Sequence, residues 1–320
     1  MMKSLEKRVV LAVGALLFCM AGRAGAVIPA AGAVQASNNT TATHTDGAFN
    51  LLCSFAGGPA PTSCEYTLDG TNWFSAFNAP SSSGTSCTAA PSCADGTAMT
   101  INMRATNDDG TGTGSAINRT CDAQAPTTTD NAPADWQAGD VIVALNASDG
   151  GSGLQYVFNC QDTVNACTPN LAGGTPTNIS VTGSAGSLTQ KYVRFLSRDN
   201  VYNSESVHSK LVRIDKQAPT GGSIAYPNGN ASSPISVSFV NGSDGSGSGL
   251  GTRVIERAEA ALSGNHCGIF GSFAGVSTNP AASPFSDSVA TNKCYQYRYL
   301  VNDAVGNLTT YTSPNAAKVK

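Results

Sequence analysis

Five aspartates, Asp149, Asp199, Asp215, Asp244 and Asp303, stand in turns or at segment boundaries of this 320-residue chain. Aspartates in such places can offer oxygen ligands to a hard cation, which makes calcium the cofactor these residue types admit. Asp149 opens Asp-Gly-Gly-Ser-Gly and Asp244 opens Asp-Gly-Ser-Gly-Ser-Gly. The plainer role of an aspartate before glycine is to cap its own turn backbone, and on that reading no cofactor is needed.

The other reactive residue types argue against catalysis. His44 lies in a polar leader, His208 near a strand end and His266 beside Cys267. Each is the place of a surface or turn residue, not of a general base. The run Gly245-Ser-Gly-Ser-Gly249 is no nucleophile elbow, because that motif joins a strand to a helix and this one lies in a turn-rich all-β stretch. No catalytic residue is expected. Trp73, in Leu68-Asp-Gly-Thr-Asn-Trp73-Phe74, is placed like an exposed hairpin aromatic and is the candidate ligand contact, for a glycan above all. Trp136 is expected to pack beneath a strand.

Ten cysteines are present, one of them (Cys19) in the N-terminal segment. That segment reads as a secretion signal over residues 1–26: Lys3, Lys7 and Arg8, an apolar run from Val9 to Met20, then Ala24-Gly25-Ala26. Export and the absence of any Cys-x-x-Cys pair point to disulfides over metal ligands. Cys160 and Cys167 are spaced to close a hairpin, and Cys267 and Cys294 have no local competitor. Among Cys53, Cys64, Cys87, Cys93 and Cys121, local pairing favours Cys53–Cys64 and Cys87–Cys93, with other pairings open. Cys121 is then a buried thiol or an intermolecular bond.

These residues are carried by a repeat. Residues 122–127 read Asp-Ala-Gln-Ala-Pro-Thr and residues 215–220 read Asp-Lys-Gln-Ala-Pro-Thr. A second phrase, Arg-x-x-x-x-Asp, closes a strand-like run at Arg104/Asp109, Arg194/Asp199 and Arg298/Asp303. Val141, Val143 and Leu145 alternate with other residues in a period of two, as do Ile235, Val237 and Phe239. Tyr295, Tyr297, Tyr299 and Val301 share one strand face, expected to be core. Pro126 and Pro219 hold Ala125 and Ala218 extended, so the joints have little slack.

The expected organisation is all-β: a signal at 1–26, a flexible leader at 27–45, and three sandwich modules at 46–122, 123–215 and 216–320 in a semi-rigid rod. The first module carries an inserted loop near 79–93. Only 12 % of residues are charged, which disfavours long solvated helices. With four of the 18 Lys/Arg and one of the 21 Asp/Glu in the signal, the balance beyond it is 14 against 20. That acidic surface excludes a nucleic-acid partner. No segment beyond the signal is suited to insert in a membrane.

Cys53-Ser-Phe-Ala-Gly-Gly-Pro-Ala-Pro-Thr-Ser-Cys64 resembles the Cys-Ser-Leu-Asp-Gly-Gly…Cys hairpin of bacterial immunoglobulin-like repeats. Arg104-Ala-Thr-Asn-Asp-Asp109-Gly and Asn302-Asp303-Ala-Val-Gly306-Asn307 are similar to the phrase that ends such repeats, and Asp149-Gly-Gly-Ser-Gly-Leu to their first turn. The resemblance implies immunoglobulin-like or fibronectin III-like β-sandwich modules of secreted or surface proteins, used as spacers, stalks and adhesive arms. It implies no catalytic residues. The expected function is a structural spacer or adhesive arm that meets protein or glycan on a cell surface; the alternatives are a carbohydrate-binding accessory module or a fragment of a longer repeat adhesin.

Overall fold

A computed structural model describes residues 28–37, 40–76 and 86–320. The expected signal, and residues 79–85 of the expected inserted loop, lie outside the described residues. Regular structure among the described residues is all β, and no helix there is long and apolar enough to cross a membrane. Two compact units form. Residues 39–47, 93–97 and 120–320 make one; residues 48–92 and 98–119, with the described residues before Asn39, make the other. The division therefore falls within 46–122, not at its end.

In the smaller unit, strand Asn50–Ala56 pairs with Ala30–Ala31, Gln35–Ser37 and Ser86–Ala89. Strand Ala98–Asn107 pairs with Ser63–Thr67 and Gly110–Thr113 in a second sheet. Period-two alternation decides what is inside: Leu51, Cys53 and Phe55 from the first sheet, and Met99, Ile101, Met103 and Ala105 from the second. Two expectations are corrected here. The described residues from 30 to 45 are not a frayed leader: they include the strands Ala30–Ala31, Gln35–Ser37 and His44–Thr45, the last pairing with Thr120 and Cys121 in the larger unit. The end of the expected inserted loop is the strand Ser86–Ala89.

The cysteine pairing is corrected as well. The bonds are Cys64–Cys87 and Cys93–Cys121, and Cys53 keeps a free buried thiol. Cys53 and Cys87 are register partners on neighbouring strands of one sheet, while Cys64 lies on the other. Cys64 therefore crosses the core, and Cys87 rather than Cys53 receives it. With Cys121 bonded to Cys93, it is neither the buried thiol nor the intermolecular bond that local pairing left open. Cys160 is bonded to Cys167, and Cys267 to Cys294.

The larger unit contains two successive sandwiches. In the first, Thr127–Asp130, Val141–Ser148 and Thr177–Val181 face a sheet of Leu171–Gly173, Leu154–Asp162, Leu188–Asp199 and His208–Asp215. Val143, Leu145, Val157, Val193, Phe195 and Ile214 fill the space between, each contributing about 1.5–3 kcal/mol of burial. Trp136 is half-buried and is neither in this core nor among the hydrophobic residues packed against it.

A buried carboxylate ties this sandwich together. Glu205, its side chain 9 % exposed, accepts Ser197 N and Oγ at 2.7 Å each, Thr128 N at 3.1 Å, and the Thr128 hydroxyl. His208 Nε2 lies 3.1 Å from it. Burial alone would raise the Glu205 carboxyl; the bonds from Thr128 and Ser197 outweigh that and hold it below the usual glutamate range.

In the second sandwich, Ser223–Ala225, Ile235–Val240 and Phe285–Asp287 form one sheet, opposite a larger one centred on Leu250–Ser263 and Lys293–Asp303. Ile235, Val237 and Phe239 meet Tyr295, Tyr297, Tyr299 and Val301 in the core. The buried tyrosine hydroxyls find acceptors: Ala290 O for Tyr295, Asp287 Oδ2 for Tyr297 and Asn241 Oδ1 for Tyr299.

Candidate functional site

Two clusters of three aspartates form at equivalent places in the larger unit. They are Asp122, Asp149 and Asp199, and Asp215, Asp244 and Asp303; in each, one carboxylate oxygen per residue lies within 4.8 Å of the others. The members come from matching positions. Asp122 and Asp215 begin the two boundary phrases, Asp149 and Asp244 open the first Gly-rich turns, and Asp199 and Asp303 end the long strands Leu188–Asp199 and Lys293–Asp303.

The hydrogen bonds repeat nearly atom for atom. Asp199 Oδ1 accepts Val201 N at 2.9 Å and Asn203 N at 2.8 Å; Asp303 Oδ1 accepts Val305 N at 3.0 Å and Asn307 N at 2.8 Å. Asn203 Nδ2 then bridges Asp199 Oδ2 (2.8 Å) and Asp122 O (2.7 Å). Asn307 Nδ2 bridges Asp303 Oδ2 (2.6 Å) and Asp215 O (2.9 Å) in the same way. From the first turns, Ser152 N donates to Asp122 Oδ2 at 2.6 Å and Ser248 N to Asp215 Oδ2 at 2.7 Å. Gly153 N caps onto Asp149 Oδ2 at 2.7 Å and Gly249 N onto Asp244 Oδ2 at 2.6 Å.

The local sequence explains the close approach. Both turns end in Gly-Ser-Gly-Leu, and their second glycines, Gly153 and Gly249, take φ of 86° and 92°, a region that strongly favours glycine. Their first glycines leave no space for a side chain. A Cβ at Gly151 would strike the Asp122 carboxyl group, and one at Gly247 would stand 2.6 Å from both Asp215 Oδ2 and Asp244 Oδ2.

Charge concentrates here without a counter-charge. Five of the six aspartates are at most 7 % exposed, Asp149 being the exception. None of the six takes part in an ion pair among the described residues. Two unit charges about 4.8 Å apart repel by about 3–4 kcal/mol at an effective dielectric of 20. Burial pushes the Asp199 carboxyl up against its bonds from Asn203, and the charge of Asp122 adds to the push. Burial likewise raises Asp244, reinforced by Asp215 and Asp303. In each cluster two polar atoms are buried with no hydrogen-bond partner: Asp122 Oδ1 and Ser152 Oγ in one, Asp244 Oδ1 and Ser248 Oγ in the other. A cavity of about 420 Å³, lined in part by His44, Asp95, Asp122 and Asp149, opens beside the first cluster.

All five aspartates singled out in the sequence fall in these clusters, together with a sixth, Asp122, which sequence reasoning missed. Its signal was present, since Asp122 and Asp215 begin the same repeated phrase. No third cluster occurs among the described residues. In the first module the strand Ala98–Asn107 ends on Asn107, whose Oδ1 accepts Asp109 N at 3.0 Å. Asn107 thus holds the place of Asp199 and Asp303, and the expected equivalence of Asp109 with them is corrected.

The other candidates lie elsewhere. Trp73 is half-buried, and the Arg104 guanidinium, itself bonded to Glu65, covers its ring at 4.2 Å from the centroid. His208 stacks on Phe195, His44 sits in a strand beside Thr43, and His266 is exposed.

Architecture and clusters define an all-β chain with successive antiparallel sandwiches and an acidic cluster at each boundary phrase. No family model matches it, and no curated protein does. It is similar to solved fibronectin(III)-like modules of Clostridium thermocellum CbhA, at 14 % identity over 57 % of this chain and 94 % of that one, TM-score 0.37. It is also similar to the FN1–FN3 domains of chicken CNTN1, at 13 % identity over 91 % and 100 %, TM-score 0.29. A third likeness is to a tetra-tandem repeat in the extending region of a large adhesion protein, at 16 % identity over 92 % and 75 %, TM-score 0.32. The sandwich assignment itself rests on the strand pairing and burial described above.

Proposed function

We propose that the chain is a non-enzymatic secreted or cell-surface protein whose tandem sandwiches serve as a structural spacer or adhesive arm. The observation that carries this reading is the joint at Asp215. This last residue of strand His208–Asp215 is fully buried, and its carbonyl accepts Asn307 while its carboxylate accepts Ser248, both from the following sandwich. A joint of no spare length, held by two bonds from the following sandwich, suits a part that holds distance. Four disulfides within the chain support an oxidising, exported setting. Trp73, one face covered by Arg104, offers little platform for a sugar ring, so the adhesive role is assigned to module surfaces and not to a single aromatic.

Small-angle scattering of the chain without its first 26 residues tests the spacer. A compact globule of that length has a radius of gyration of about 19 Å. Strands of 12 residues give modules of about 40 Å along the chain, and three in line exceed roughly 30 Å in radius of gyration. A value near that of the globule refutes the spacer reading.

A further inference from the structure

The twin aspartate clusters have a chemistry that turn capping does not exhaust. Capping accounts for Asp149 Oδ2 and Asp244 Oδ2, and strand-end turns account for both Oδ1 atoms of Asp199 and Asp303. It does not account for three carboxylates gathered within 4.8 Å, nor for a buried, unpartnered carboxylate oxygen in each cluster, on Asp122 and on Asp244. Nor does it explain why an unpartnered serine hydroxyl, of Ser152 and of Ser248, lies buried in the same turn both times.

A divalent ion accounts for all three. Ca²⁺ bonds to oxygen at about 2.3–2.6 Å, so two ligands of one ion stand at most about 4.6–5.2 Å apart, and the carboxylate oxygens here, all within 4.8 Å of one another, meet that limit. The donors are carboxylate and hydroxyl oxygens only, which suits a hard cation and not zinc or copper, whose sites draw on nitrogen and sulfur. Backbone N–H groups already hold several of the carboxylate oxygens in place, so the sites are pre-organised. Backbone-tethered ligands on irregular turns fit calcium's tolerant coordination better than the strict octahedron of magnesium.

We propose that each cluster binds one Ca²⁺, the first through Asp122, Asp149 and Asp199 and the second through Asp215, Asp244 and Asp303, with Ser152 and Ser248 as additional oxygen donors. The second ion draws ligands from both sides of its joint, Asp215 from one sandwich and Asp244 and Asp303 from the next. The sites stand whether or not the chain acts as a spacer, because binding is read without reference to shape.

The test is calorimetric titration of the chelator-treated protein with CaCl₂, with equilibrium dialysis for stoichiometry. Two ions per chain are expected, with Kd on the order of 10⁻⁴–10⁻³ M, the range of extracellular modules. Asp149→Asn and Asp244→Asn keep an acceptor for the turn and should each remove one ion; the double variant should remove both. Ser152→Ala and Ser248→Ala, which disturb no cap, should each weaken Ca²⁺ binding at one site only. Should a variant fail to fold, as seen by circular dichroism, the stoichiometry of the unaltered chain still decides. No bound ion in that chain at millimolar Ca²⁺, ions retained by a folded double variant, or Mg²⁺ bound as tightly as Ca²⁺ each overturn the proposal.

Discussion

Removing the Glu205 carboxylate should weaken the first sandwich of the larger unit more than any surface change. In Glu205→Ala, Thr128 N and Ser197 N both lose their acceptor. Ser197 is fully buried and Thr128 is 7 % exposed, so water replaces the lost bonds poorly. An orphaned buried donor costs about 1–3 kcal/mol, and two of them, partly relieved by relaxation, come to about 3–4 kcal/mol. Domains of this size are stable by only about 5–15 kcal/mol, so the loss is large on that scale. The pH dependence supplies a second, independent check. The Glu205 carboxyl titrates below its ordinary range because bonds from Thr128 and Ser197 outweigh its burial. Its contribution is therefore complete above the unfolded-state value of about 4.3 and is lost as pH falls through the lower folded value. Urea titrations of wild type and variant, followed by Trp136 fluorescence at several pH values, should show a wide gap at pH 7 that narrows in acid. A loss below about 1 kcal/mol, or a gap unchanged into acid, refutes the reasoning.

Two further outcomes follow from the same structure. Burial pushes the Cys53 thiol up to about 11, so iodoacetamide at neutral pH should leave the native protein unlabelled and modify one thiol per processed chain after unfolding; labelling of the native state counts against the buried thiol. Asn307→Ala removes the bridge between Asp303 Oδ2 and Asp215 O, at a cost of about 2–4 kcal/mol for bonds to a charged group and a buried carbonyl. Limited proteolysis with mass mapping should then show new cleavage near residues 216–220, and an unchanged pattern would contradict the role given to Asn307.

Much of the fold was legible because strands announce themselves locally. Val143 and Leu145, or Val237 and Phe239, alternate in a period that fits one buried face. The glycine-rich turns at Asp149 and Asp244 were legible because the residues that permit the bend are neighbours in sequence. The leader was misread for the converse reason. Ala30–Ala31 and Gln35–Ser37 carry no strong strand pattern of their own and become strands by pairing with Asn50–Ala56. Asn107 was likewise passed over in favour of Asp109, because a matching phrase does not show where a strand ends.

The chain's order of residues determined the β class, the repeat, the two boundary phrases and the sharp turns, since each depends on backbone preferences that act over a few residues. Only the tertiary structure decided which cysteine crosses the core to Cys64, and that Glu205 would collect Thr128 and Ser197. It alone brought Asp122 to Asp149 and Asp199, and Asp215 to Asp244 and Asp303. Those contacts join residues 27 to 88 positions apart, and at such distances the partner is chosen by which strands become neighbours, not by any local preference of the chain.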